Sequence, residues 1–289
     1  DDLVRYVKHF IEDGVIDIAI VTHADTDHYR GMDRMFDEFT VKQFWNTGYT
    51  SDKINGETRE WTKFLNKVAA EVGCDVYSPL NAWVAVGDRE VIDEQDAATT
   101  ADDVVIQYLN IDSQPPERDP VSNRKFNEGE QRNNASLVFK LIYRDVSFLV
   151  TGDANGRPKD NDFPDGYIDS EELELFIRHH WYPEKFGLKA TVLQVPHHGS
   201  HGSVSFPFVR AVDPEWAVVP AGTSYHHPRP GAVRRLEAVL ADNHILYTND
   251  GNSTPPSEPD NSDANGDDSF IFETDGVTIT AIHRVTWHE

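Results

Sequence analysis

The chain has 289 residues and carries 50 Asp and Glu against 26 Lys and Arg, a formal charge of −24. That balance excludes a broad basic footprint for nucleic acid. Cys74 is the sole cysteine, which excludes an internal disulfide framework and a thiolate metal cluster. Residues 3–11 place Leu3, Val4, Val7, Phe10 and Ile11 at helical spacing, with Gly14 as a stop. Residues 16–22 are apolar enough for a buried strand. A helix around 30–38, a strand at 43–47 and a helix at 57–72 follow. Strands are expected near 84–86 and 104–111, and the polar run 112–133, with Pro115-Pro116, reads as a loop.

Residues 136–143 and 146–151 form a hairpin pattern turned at Arg144-Asp145. The stretch 153–169 is rich in Asp, Asn, Gly and Pro and reads as an exposed loop, with a helix at 170–180. Strands are expected at 190–195, 216–219 and 245–248, with a helix at 230–241 before the last of these. The acidic run 249–268 reads as a second loop, and 269–273 with 277–284 as a closing hairpin turned at Asp275-Gly276. Apolar residues make up 38% of the chain, enough for a core, and no apolar run approaches the ~20 residues of a membrane span. Strands and helices mixed along one length predict a single layered α/β domain over 1–289.

The densest chemistry is His23-Ala-Asp25-Thr-Asp27-His28, four potential ligands within six residues directly after an apolar strand. A strand end fixes the backbone, so a tight loop there aims several side chains at one point. The competing reading is a helix cap in which Asp25 or Asp27 accepts from the next helix. Asp pairs are common in so acidic a chain; two His framing two Asp are not.

Three other strand-end groups join the candidates. Asp153 ends Val150-Thr-Gly-Asp153, where a carboxylate could bridge two ions or simply serve a turn. His197 and His198 end Gln194-Val-Pro-His197-His198-Gly-Ser200; adjacent side chains on extended backbone point opposite ways, so one of the two is expected to be a ligand and the other to support it. Tyr225-His226-His227-Pro228 offers a ligand, an acid or a phosphate contact. The run 161–172 places Phe163 at a ligand position of a Ca²⁺ loop and reads as a plain acidic loop. No G-x-S-x-G elbow accompanies Ser200 or Ser203, which argues against a serine hydrolase.

The His23-x-Asp25-x-Asp27-His28 motif resembles the HxHxDH signature of the metallo-β-lactamase superfamily, with Asp in place of the second His. Together with Asn134-Ala-Ser136-Leu-Val, Phe148-Leu-Val-Thr-Gly-Asp153, Val195-Pro-His197-His198-Gly-Ser200 and His227-Pro228, it resembles the metallo-β-lactamase-like domain of the DNA-uptake competence protein ComEC and its free-standing relatives, over about residues 15–284. The resemblance implies a four-layer αβ/βα sandwich with a metal site on one edge, its usual opening strands missing before residue 1. It gives His23 and Asp25 to a first divalent ion and Asp27 and His28 to a second, with Asp153 bridging. Equal spacing from Asp17 to His23 and from Thr191 to His197 favours His197 as the strand-end ligand, with His198 kept open. The usual third histidine of the first site has no counterpart; Asn134 or Ser136 stands there, which shifts the preference from Zn²⁺ toward Mn²⁺.

The chemistry implied is hydrolysis by a metal-bound hydroxide, with Asp27 orienting the nucleophile and His227 contacting the leaving group or phosphate. The substrate class expected is a small or single-stranded phosphodiester. A hydrolase of another ester or amide, lactams included, and a non-catalytic binding module that keeps the fold are the alternatives.

Overall fold

The computed structural model describes residues 2–50, 56–92, 103–118, 123–154, 187–200, 202–221, 227–248 and 268–286. The expected helix at 170–180, all but the first two residues of the loop expected at 153–169, all but the last of the loop expected at 249–268, and Tyr225-His226 lie outside the described residues. The chain is mixed α/β and divides into two compact units, one of Asp1–Ala85 with Asn110–Leu137 and one of Val86–Leu109 with Val138–Glu289. Among the described residues no helix is long and apolar enough to cross a membrane.

The first unit is built on a three-stranded parallel sheet ordered β1-β2-β3, of β1 (Val15–Ile20), β2 (Thr40–Trp45) and β3 (Asp75–Tyr77). The apolar run expected to be a buried strand pairs on one side only, with β2, among the described residues; its Asp17 is exposed and accepts from Lys42 Nζ at 2.7 Å. Helix α1 (Asp2–Phe10) precedes the sheet, and β1 leads through the His-Asp cluster into α2 (Thr26–Tyr29) and α3 (Met32–Glu38). Helix α4 (Gly56–Val68) completes the core.

That core is aromatic. Phe44 is fully buried, and its ring lies 5.7 Å from Phe64 and 5.8 Å from Phe36. Tyr29, the residue after His28, packs on Trp61 at 5.0 Å and Phe64 at 5.3 Å. Rings at these separations and tilts match edge and face charges as well as excluding water, and they fasten the short α2 to the body of the unit.

The second unit carries a seven-stranded sheet ordered β10-β9-β8-β7-β6-β5-β4. Its strands are β4 (Arg89–Val91), β5 (Val104–Asn110), β6 (Val138–Tyr143), β7 (Val146–Val150), β8 (Val192–Gln194), β9 (Trp216–Val219) and β10 (Ile245–Tyr247). The expected hairpin is β6-β7, antiparallel, with Arg144 at a positive φ in its turn. From β7 onward the strands run parallel, so their carboxyl ends gather on one side of the sheet. Leu149, Leu193, Ala217 and Val219 from these strands are buried against α6 (Phe206–Val212) and α7 (Pro230–Glu237) through Phe208, Val209 and Leu236. The closing hairpin is β11 (Asp268–Thr274) with β12 (Ile279–Thr286).

Three expectations are corrected. Residues 84–86 are not a strand: Gly87 sits at φ 92° in a turn, and the strand follows at β4. The segment 112–133 is not all loop, because α5 (Glu128–Asn134) begins in it. Helix α6 is not among the expected elements; Ser205 caps it by accepting from Phe208 N at 3.2 Å.

If the aromatic cluster holds the first unit, Phe44→Ala is expected to destabilise it by about 3–5 kcal/mol. A urea titration followed by tryptophan fluorescence measures this. A loss below about 1 kcal/mol would show that the cluster is not the core of the unit.

Candidate metal centre

The His-Asp cluster of the first unit sits where β1 ends. Val21 N donates to Trp45 O at 3.1 Å, and Leu137 N to Thr22 O at 2.7 Å, so the backbone is tied on both sides up to His23. His23 is 1% exposed, with Thr22 Oγ1 3.2 Å from its Nδ1. Asp25 stands at the N-cap of α2, yet its side chain makes no capping hydrogen bond. The rings of His23 and His28 lie 4.1 Å apart. His23 Nε2 is 3.8 Å from Asp25 Oδ2, and His28 Nε2 is 3.8 Å from Asp27 Oδ2. These gaps are too long for hydrogen bonds. They approach the ~3.4 Å separating two ligands of one tetrahedral ion at bonds of about 2.1 Å.

The carboxylate of Asp25 is engaged elsewhere. Arg132 Nε donates to Asp25 Oδ1, and the Asn133 amide lies against Oδ2; with its nitrogen assigned to that side by the surrounding acceptors, it donates to Oδ2 at 2.9 Å and to Gly129 O at 3.2 Å. Both partners come from α5, which is set by a capping box: Asn127 Oδ1 accepts from Glu130 N at 2.9 Å, and Glu130 Oε2 accepts from Asn127 N at 2.8 Å. Asn110 Nδ2 donates to Ser136 O at 2.8 Å and fixes the exit of that helix. Asn134 and Ser136, which stand where the resemblance implies a third histidine, are both buried.

In the second unit Asp153 follows β7 and is 4% exposed. Its position is set by Gln194, at the end of β8. Gln194 Oε1 accepts from Thr151 N at 2.9 Å and from Gly152 N at 3.2 Å, while its carbonyl accepts from Thr151 Oγ1 at 2.8 Å. The turn Pro196–Gly199 comes next, joined back by His197 N donating to Gly152 O at 3.1 Å.

The histidine pair is not on extended backbone. His197 (φ 47°, ψ 45°) and His198 (φ 53°, ψ 21°) are both left-handed. Two such residues in succession turn both rings to one carboxylate instead of opposite ways. His197 Nε2 is 3.7 Å from Asp153 Oδ2, and His198 Nε2 is 3.6 Å from Asp153 Oδ1. His198 Nδ1 lies 2.6 Å from Pro220 O, an atom that only accepts, so Nδ1 carries a proton and, in the neutral ring, Nε2 the lone pair. His227 lies beside them, its ring stacked on His198 at 6.4 Å and 5.9 Å from His197. Burial pushes its pKa down to about 4, helped by the nearby His197, Arg229 and His198, and opposed by Asp153.

Gly199 locks the turn. It sits at φ +74°, and a Cβ there would meet Pro228 Cβ at 2.6 Å and Pro228 Cα at 3.2 Å, while its carbonyl accepts from Arg229 N at 2.9 Å.

Within their own units, then, the described residues bring together His23, Asp25, Asp27 and His28, and separately Asp153, His197, His198 and His227. His23, Asp27, His28, Asp153 and His198 are among the side chains that could hold a metal ion, and Asp25 is not grouped with them among the described residues. The sequence reading missed Arg132 and Gln194. The Asn127-x-x-Glu130 box was a visible signal for the helix that carries Arg132; a single polar residue closing an apolar strand is too common to have marked Gln194.

Gly199→Ala is expected to cost about 1–3 kcal/mol through backbone strain and displacement of Pro228, read as a lowered denaturation midpoint; an unchanged midpoint would show the turn to be plastic. The sign of the His227 effect is also fixed. Between the folded value of about 4 and the ordinary 6.5, the unfolded chain holds the proton and the folded one does not, so stability falls as pH is lowered through that window. Denaturation of the metal-stripped protein between pH 7 and pH 4 should show that slope, and His227→Asn should flatten it.

No protein-family profile matches the chain. Two characterised proteins are similar to it. It is 25% identical over 225 residues to ComE operon protein 3 of Bacillus subtilis (strain 168), covering 77% of this chain and 22% of that protein. It is 31% identical over 110 residues to competence protein ComA of Neisseria gonorrhoeae, covering 37% of this chain and 13% of that one. The chain thus spans about a fifth or less of the length of these relatives, and the similarity supports a distant relation to the ComEC competence proteins.

Proposed function

We propose that the chain is a metal-dependent hydrolase of the metallo-β-lactamase fold, a four-layer αβ/βα sandwich, acting on phosphodiesters. The observation that carries the reading is the pairing of Asp153 with His198. A buried carboxylate and an imidazole whose tautomer is fixed by Pro220 O stand 3.6 Å apart, a spacing suited to two ligands of one ion and too long for a hydrogen bond. His23, Asp27 and His28 supply the same donor types at the end of β1. The similarity to competence proteins supports the family.

In this reading His23, Asp27, His28, Asp153 and His198 hold divalent metal, Zn²⁺ or Mn²⁺. A bound ion would supply an activated water and polarise the phosphoryl oxygen. Of the chain's own groups, Asp27 orients the nucleophile. His198 is favoured over His197 as ligand because its Nδ1 is already committed to a carbonyl. His227, neutral at physiological pH, contacts the phosphate or leaving group as a hydrogen-bonding partner. The net charge of −24 disfavours long duplexes and favours small phosphodiesters or single-stranded ends.

The test is hydrolysis of bis(p-nitrophenyl) phosphate by protein stripped of metal and then refilled with Mn²⁺ or Zn²⁺, beside Asp27→Ala. Turnover restored by one ion and lowered at least ~100-fold in the variant is expected. Tight metal binding without turnover would move the activity to other esters or amides. A folded protein that binds neither ion would overturn the reading.

A further inference from the structure

We infer that Arg229 is the substrate-anion contact of the second unit's site, its guanidinium holding a non-bridging oxygen of a phosphodiester beside His227. The inference rests on the phosphodiester reading above for the identity of the anion, and adds the residue that selects it.

Three observations within the second unit carry it. Arg229 stands at the start of α7, two residues after His227, and its backbone nitrogen donates to Gly199 O at 2.9 Å. The side chain is thereby rooted on the turn that carries His197 and His198. The residue is part-buried, and its Nε, out of water, meets no acceptor. Nor does its guanidinium form an ion pair among the described residues. By contrast Arg124, Arg132 and Lys189 each reach a carboxylate, in a chain with 50 Asp and Glu. Finally, its charge is felt at the site: after burial and His197, Arg229 is among the causes that lower the His227 pKa.

A buried donor on a charged group is costly to leave unmet, and an anion entering the cluster would meet it. Guanidinium stays protonated at any pH the protein meets, and its planar donors match the oxygens of a phosphoryl group. A phosphodiester carries its negative charge on those oxygens; a neutral ester or amide carries none. Of Asp153, His197, His198, His227 and Arg229, only the last is a permanent cation. A purely structural role fits less well, because the contact that fixes the turn is made by the Arg229 backbone, which other side chains would keep.

The experiment uses the full chain beside Arg229→Met and Arg229→Lys. Inorganic phosphate is titrated by calorimetry into metal-stripped protein, and turnover of bis(p-nitrophenyl) phosphate is measured after refilling with Mn²⁺ or Zn²⁺. Arg229→Met should bind phosphate ~10- to 100-fold more weakly and raise KM for the diester by a similar factor, the loss expected of a charged hydrogen bond. Arg229→Lys, which keeps the charge, should recover part of both. The denaturation midpoint of Arg229→Met should be no lower than that of wild type, since the lost Nε had no partner. An unchanged phosphate Kd or an unchanged KM in Arg229→Met, or no phosphate binding by folded wild type, would overturn the inference and leave the hydrolase reading to its own test. Phosphate binding that depends on Arg229, without diester turnover by either refilled form, would uphold the anion contact and overturn the phosphodiesterase reading.

Discussion

A carboxylate taken almost wholly out of water is costly unless charge or hydrogen-bond donors meet it, and Asp153 is 4% exposed. Much of the second unit's geometry around β7 and β8 serves to hold that group in one place. Gln194 clamps the two backbone amides before it, His197 N ties the following turn to Gly152 O, and two consecutive left-handed residues face both imidazoles toward the carboxylate. Gly199, at φ +74° and with no room for a Cβ beside Pro228, suits the closure of the turn against that proline. A chain of small local constraints converts a strand end into a cluster of donors preorganised before any ligand arrives.

The same logic operates with opposite chemistry in the first unit. Asp25 is met by a guanidinium and an amide from one capped helix. Asp27 and His28 lie on the short α2 instead, anchored by the next residue, Tyr29, in the aromatic core. Two carboxylates two residues apart thus have different partners because their backbone positions differ: one precedes the helix and one is in its first turn. The candidate ligands lie at strand ends in both units, where the carboxyl ends of neighbouring parallel strands gather on one side and the loops leaving them converge.

Much of the secondary structure was legible because it rests on local pattern. The alternation and turn residues of β6-β7, the closing hairpin at Asp275-Gly276 and the helical spacing of α1 need nothing beyond near neighbours. The helix α5 escaped because it has no apolar stripe; it is stabilised by Asn127 and Glu130 at its start, a polar signal inside a polar run. The strand misplaced to 84–86 shows the complementary error, in which apolar composition suggested pairing where a turn at Gly87 prevents it.

What the sequence determined by itself is the inventory: a dense His-Asp cluster after one strand, an Asp after another, a His pair after a third, in a chain too acidic for a broad nucleic-acid surface and too poor in cysteine for thiolate ligation. Those follow from residue type and spacing, which the chain carries openly. The tertiary structure decided how each side chain is used. That both His197 and His198 reach Asp153 depends on a backbone conformation that L-residues rarely adopt, followed directly by Gly199, itself at φ +74° and packed against Pro228. That Asp25 faces Arg132 depends on a contact between residues 107 apart in the chain. No spacing rule encodes either, because both are set by packing among segments the sequence keeps far from one another.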